Sequence, residues 1–219
     1  MRPLNKLADT DATFGALIRT LEDRRQAYAA ALLAGGDGGA LPGHYRDVKP
    51  AVAHETSGKC AYCESKVSDV YVGDVEHILP KDGHPERTLD YANLTYVCWY
   101  CNNKKHNTEF TDGLGLLNPY VDDPEAFVRF FGTLLTAVPV DPDLIRAKRT
   151  IDTIGLNRTG LIESRERAWH RFELLERAYR AATHPAVRDL AKQEIEAAQQ
   201  PDEEYSYFAK LYFRAVGVP

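Results

Sequence analysis

No stretch of this 219-residue chain approaches the roughly 20 consecutive apolar residues that a bilayer-spanning helix requires. The opening MRPLNKLADT also lacks the apolar run of a signal peptide, so the expectation is a cytoplasmic protein with no membrane association. Cysteine is scarce, with four in the whole chain. In a reducing compartment four thiols are expected to hold a metal rather than to pair as two structural disulfides. Basic excess is missing too. The net charge of -5 argues against a broad basic surface for nonspecific binding to nucleic acid. It leaves room for a small basic groove, a metal ion that offsets carboxylates, or a basic partner. There is no internal repeat and no low-complexity tract beyond GGDGG at 35–39. That cluster lacks the GK[ST] ending of a phosphate-binding loop and reads as a flexible turn.

What is present suits an ordinary globular protein, with 44% hydrophobic and 27% charged residues. The length fits one compact domain or a small site module with helical flanks, and the patterning favours the second. Residues 1–59 read as a helical segment and linker, 60–118 as the site module and 119–219 as a helical region. In the first part, Leu17, Leu21, Tyr28, Ala31 and Leu32 recur at near-helical spacing across residues 14–34. In the last, Asp141 and Pro142 make a helix start, followed by Leu144, Ala147, Ile151 and Ile154 on one face. Leu161, Arg165, Ala168, Phe172, Leu175, Tyr179 and Ala182 then step by three or four through a long amphipathic helix. Pro185 opens another helix, and Pro201 separates it from a last one with Tyr205, Phe208, Leu211 and Tyr212. The aromatic stripe reads as packing rather than a base-stacking surface. Apolar faces around Trp169, Phe172, Tyr205 and Phe208 nevertheless exceed what a compact site module needs, and some of that surface is expected to meet a protein partner. Basic residues also gather here, among them Arg146, Arg158, Arg165, Arg171 and Arg180, and read mainly as a solvated helical face.

Helical periodicity fails between CAYC at 60–63 and CWYCNNKKHN at 98–107. Extended pieces such as VSDVYVG and the turn-rich DGHPERT suggest a small hairpin and loop stitched to something rigid. Cys60, Cys63, Cys98 and Cys101 form two CxxC pairs. Converging on one ion, they would make the tetrahedral thiolate site that Zn2+ accepts, with an iron–sulfur cluster or redox cysteines as the alternatives. Between the pairs lies VEHILPK at 75–81. Phosphodiester hydrolysis needs a base to activate water and a cation to stabilise charge on phosphorus oxygens, and Glu76 and His77 can divide that work. Neighbours on a strand point oppositely, so the backbone must bend for both to serve one site.

VEHILPK, then NL at 93–94, then CWYCNNKK at 98–105 resembles the cysteine-framed form of the HNH nuclease family, over about residues 60–107. The resemblance implies an α+β protein, with a zinc-stabilised ββα-metal module embedded in a mostly helical chain. It implies that Glu76 binds the catalytic metal, that His77 is the general base, that Asn93 orients the imidazole and that Asn102 is the last metal ligand. Lys105 becomes a phosphate or transition-state contact. This chain has Glu and Asn where Asp and His are common, and both supply oxygen, which suits Mg2+ or Mn2+ at the catalytic position. His106 and Asn107 are alternative ligands, and His84 sits in the connecting loop; His44 and His54 receive no role. With IGLNRTGLIESR added, the chain resembles the small HNH proteins that accompany an ATPase in Septu-type and retron-linked antiphage defence. That implies an ATPase partner and a nucleic-acid target, DNA or RNA. Two other readings stay open. One is a stand-alone restriction or mobile-element endonuclease that uses the basic helices for recognition. The other is a zinc-stabilised binding module without catalysis.

Overall fold

The structure, a computed structural model, describes residues 1–67, 72–108, 115–138 and 143–219. It is mostly helical, with two small antiparallel hairpins. Helix α1 (Gly15–Leu33) opens the chain, and a 3-10 segment (Leu41–Val48) leads into α2 (Lys49–Glu55). The first hairpin pairs β1 (Asp74–His77) with β2 (Leu94–Val97), and α3 (Trp99–Lys105) follows at once. After α4 (Pro124–Phe127), strands β3 (Val128–Phe131) and β4 (Leu134–Ala137) form the second hairpin. Helices α5 (Asp143–Ile154), α6 (Thr159–Ala181), α7 (Pro185–Ala198) and α8 (Ser206–Val216) complete the chain. Among the described residues no helix is long and apolar enough to cross a membrane.

The ββα unit follows from its local sequence. Strand β2 reads LTYV, in which Thr95, Tyr96 and Val97 are β-branched or aromatic residues that favour a pleated surface, and all four are buried. It recruits β1 with Glu76 opposite Thr95 and His77 opposite Leu94. Gly73, just before β1, has φ +65°, and a Cβ there would lie 2.3 Å from the Tyr96 ring, so only glycine lets the strand start beside that side chain. Cys98 caps α3, its sulfur accepting the Cys101 amide.

The helical expectations hold for the main elements. Helix α1 ends before glycines with positive φ at 35, 38 and 39, although its inner face is Ile18, Leu21 and Tyr28 while Leu17 is exposed. Ala147, Ile151 and Ile154 are buried along α5 as expected; Asp141 and Pro142 lie outside the described residues, as do residues 68–71 of VSDVYVG. The region expected to be helical from residue 119 also contains a hairpin, β3 and β4, that the sequence pattern does not announce. They are joined by the two-residue loop of Gly132 and Thr133, where Gly132 takes the φ of +60° that such a tight loop demands at its first position.

Much of the apolar face expected on the last helices closes the chain's own core. Phe172, Tyr205 and Phe208 are buried, and Trp169, Phe208 and Tyr212 meet as a ring cluster with Phe172 and Phe213. These faces close the chain's own interior, because one continuous buried cluster runs from Met1 and Leu4 through Cys60, Leu94 and Ile154 to Phe213. Several expected solvent-facing arginines are likewise used internally. Arg165 is 2% exposed and donates to the carbonyls of Thr133 and Leu156, and Arg146 pairs with Asp122 at 2.6 Å. The last helix is pinned to the first CxxC turn: Lys59 Nζ donates to Ser206 Oγ and to the Glu203 carbonyl, each at 2.7 Å, and the Tyr205 and Ser65 hydroxyls are 2.9 Å apart.

Glu55 is a second polar hub. Its fully buried carboxylate accepts from the Leu7 amide at 2.8 Å, Lys6 Nζ at 3.2 Å, Tyr91 OH at 2.6 Å and Tyr120 OH at 2.8 Å. One carboxylate thus ties the N-terminal arm to α2, the β1–β2 loop and the segment after α3. Removing it strands a largely buried ammonium and two phenols. Glu55→Ala is expected to lower the unfolding free energy by about 3–5 kcal/mol, the usual cost of breaking a buried ion pair from one side. Urea unfolding checks this; a loss below about 1 kcal/mol would mean that the hub is not a stabilising element.

Candidate active site and metal centre

Cys60, Cys63, Cys98 and Cys101 bring their sulfurs within 4.8 Å of one another, close enough to hold one metal ion. Two turns supply them. In the first, the Glu64 amide returns to the Cys60 carbonyl, with Glu64 at φ +64°, and the Ala61 amide donates to the Tyr96 carbonyl, locking this turn onto β2. The second is the cap of α3. Hydrogen bonds from Cys101 hold the Cys63 and Cys98 thiols below their ordinary range, while burial pushes Cys60 up. Arg158, outside both turns, lays its guanidinium 4.2 Å from the Tyr100 ring centroid with Nη1 3.9 Å from Cys101 Sγ.

The same α3 that is held by Cys98 and Cys101 forms one wall of a cleft of about 270 Å³. Glu76 and His77 both line this cleft, together with Tyr45, Lys81, Asn102 and His106. The pleat would send them apart, but β1 ends at His77, where the chain leaves the sheet.

His77 is buried against the Tyr45 ring, with centroids 4.5 Å apart, and its Nε2 lies 2.9 Å from the Thr88 carbonyl. A carbonyl only accepts, so Nε2 carries the proton and Nδ1 is left as the basic nitrogen. Burial lowers the imidazole pKa to about 4, with Lys81, Lys105 and Arg46 adding to the effect against the Thr88 hydrogen bond. His77 is therefore neutral at physiological pH.

The side-chain hydrogen bonds of Asn93 go to the backbone and not to the imidazole. Its side chain accepts from the Leu79 amide at 2.8 Å and donates to the carbonyls of Leu79 and Arg87, while its own carbonyl accepts from Ile78. It thus clamps both the chain leaving His77 and the chain arriving at Thr88, whose carbonyl holds the ring.

Glu76 is 8% exposed, and its Oε1 is 2.7 Å from Lys105 Nζ. Lys105 is 1% exposed and also donates to the His77 carbonyl at 2.7 Å, so in this arrangement it braces β1 from inside instead of standing at the surface. Burial raises the Glu76 pKa, and Lys105 opposes that rise. Asn102 donates through Nδ2 to Asp74 at 3.1 Å, which leaves its amide oxygen for another partner.

The remaining histidines separate. His106 is exposed and lines the cleft, His84 lies 3.5 Å from Glu86, His44 bonds Asp47 at 2.9 Å, and His54 packs on Phe14. Asn107 also lines the cleft and bonds Asp82. Sequence reading missed four residues of the site. Asp74 had a signal, since it precedes Glu76 by two and shares its strand face. Tyr45, Thr88 and Trp99 had none, because the first two come from distant segments and the third is an ordinary aromatic inside CWYC.

The family model described as HNH endonuclease matches residues 60–108, the segment that carries both cysteine turns, the hairpin and α3. Among curated proteins, the Septu protein PtuB of Bacillus thuringiensis is 32% identical over 113 residues, covering 51% of this chain and 41% of that protein. The Septu protein PtuB of Bacillus mycoides (strain KBAB4) is 25% identical over 161 aligned residues, covering 59% of this chain and 54% of the relative. The chain therefore spans about half the length of the curated relatives it matches. Residues 60–108 are an HNH endonuclease domain built on a four-cysteine cluster, in a chain similar to the Septu PtuB proteins.

Proposed function

We propose that this chain hydrolyses phosphodiester bonds of nucleic acid and serves as the nuclease effector of an ATPase-associated antiphage defence system. The observation that carries the catalytic part is the shared cleft of Glu76, His77 and Asn102, one wall of which is fixed by the cysteine cluster. A binding module would need the cysteines but not a neutral buried histidine beside a carboxylate. The defence setting and the ATPase partner rest on likeness to the Septu proteins. Residues 60–118 would be the nuclease module, with 1–59 and 119–219 packed around it.

The donor chemistry fits two different metals. Four thiolates about 2.3 Å from one ion stand about 3.8 Å apart at tetrahedral angles; the Cys63 and Cys98 sulfurs are 3.9 Å apart. This suits structural Zn2+. Glu76 and the amide oxygen of Asn102 are hard donors and would hold Mg2+ or Mn2+, which when bound supplies positive charge for the phosphorane and the leaving oxygen. Lys105 would keep the buried Glu76 ionised and aligned. His77 Nδ1 would take the proton of the attacking water as the new oxygen–phosphorus bond forms and the ester bond breaks. Asn93 and Thr88 would hold its ring and tautomer.

Elemental analysis of the desalted, reduced chain should give about one zinc per chain, and chelation should unfold the module; fully folded protein without zinc would contradict the assignment. His77→Ala should stay folded, keep zinc and lose about 100- to 10,000-fold in cleavage, the usual contribution of a general base. Glu76→Gln should also be impaired, but partly restored by raised Mn2+, whereas added metal should not restore His77→Ala. Near wild-type cutting by His77→Ala would sink the mechanism. In metal-free solution, NMR titration should find the His77 ring neutral down to about pH 5, with its midpoint near 4. An unfolded histidine takes its proton near 6.5, so the unfolded state binds more protons between about pH 6.5 and 4, and His77 makes stability fall as pH drops through that window. A midpoint of 6 to 7 would contradict the burial of the ring.

A further inference from the structure

Trp99 is the first residue of α3, fixed between Cys98 and Cys101, and it stands at the mouth of the cleft with 57% of its surface exposed. The chain's other tryptophan, Trp169, packs on Phe208 and Tyr212. Among the described residues no ring stacks on the Trp99 indole and no cation lies over it, so a large apolar plane faces water beside the reacting groups. Of the nearby cationic side chains Lys81 lines the cleft, and Arg46 adjoins it at Tyr45. Lys81 and Arg46 both lie over the Tyr45 ring, at 5.9 Å and 4.8 Å from its centroid, and Tyr45 in turn packs on His77.

This division suits a nucleotide whose phosphate faces the cations and whose base is free to meet the indole. In an intact duplex the bases are stacked on one another and paired, and a protein side chain meets mainly phosphates, sugars and groove edges. A flat indole gains most from a base whose π-face is open, as in a single strand, a loop or a flipped nucleotide. Resting on the hydrolase reading above, we propose that Trp99 is a base-stacking platform and that the preferred substrate is nucleic acid unpaired at the cleavage position.

The test uses the full chain; affinities are read from the fluorescence anisotropy of a dye on the oligonucleotide, and a Trp169→Phe variant lets intrinsic fluorescence report Trp99 alone. With no added divalent ion, an unpaired oligothymidine and a blunt hairpin duplex of equal charge are titrated in turn. The unpaired strand should quench Trp99 and bind more tightly than the duplex. Trp99→Ala should weaken single-strand binding roughly tenfold or more, the scale of one base stack. It should leave duplex binding nearly unchanged, and Trp99→Phe should recover most of the loss. Equal affinity for the two ligands, no binding of either, or single-strand affinity unmoved by Trp99→Ala would overturn the proposal. The hydrolase reading fails on a separate observation, cleavage at wild-type rate by His77→Ala, so the two failures can be told apart.

Discussion

Convergence of two CxxC turns on one point is the constraint from which the geometry of the site follows. The first turn is hydrogen-bonded to β2 through Ala61 and Tyr96, and the second is the N-terminus of α3. Once four sulfurs meet, β2 and α3 can no longer move independently, and β1 is held by its ladder to β2. A module of two four-residue strands and a seven-residue helix has little core of its own. Hairpins of that size are marginal in water, so the cluster replaces the apolar burial that a larger sheet would provide.

The flanking helices extend this support instead of forming a separate layer. Lys59 and Ser65, on either side of the first cysteine pair, bond to the start of α8, and Arg158 reaches the second pair from the turn between α5 and α6. Arg158 places positive charge beside thiolates that would carry excess negative charge around a divalent ion. Neighbouring groups of this kind tune a metal centre as well as the ligands do. The long C-terminal region is therefore part of the scaffold that positions the cysteine cluster, and its aromatic residues fill the interior between α6 and α8.

Buried charge is handled differently at the two carboxylates near the hairpin, Glu55 and Glu76. Glu55 collects four donors from three distant segments and acts as a tie. Glu76 has Lys105 as its ion-pair partner and stays at the edge of the cleft. That difference suits a structural carboxylate and one that must remain available to a ligand. An interior ion pair costs desolvation of both groups, and here Lys105 also bonds the His77 carbonyl, so the ammonium fixes the strand at the residue next to the carboxylate it neutralises.

The sequence by itself determined which donors, acceptors and thiols the candidate site holds and the type of the longest elements. Spacing of the four cysteines, EH between them and the two Asn positions are local patterns whose meaning depends on residue type and order. The three-to-four spacing from Leu161 to Ala182 likewise marks α6 because helical periodicity is local. Tertiary structure decided what each side chain faces. Lys105 looks like an exposed helix lysine from its neighbours, yet β1 lies over it; Arg165 reads as part of a basic face, yet the carbonyls of Leu156 and Thr133 receive it. The β3–β4 hairpin was not legible because VRFF and LLTA are too short for periodicity to separate strand from helix, and cross-strand pairing settles them. Tyr45 and Thr88 join His77 from segments far from it in the chain, so no local pattern could mark them. Residue identity set the available donors, acceptors and charges, whereas burial and long-range packing selected which of them meet.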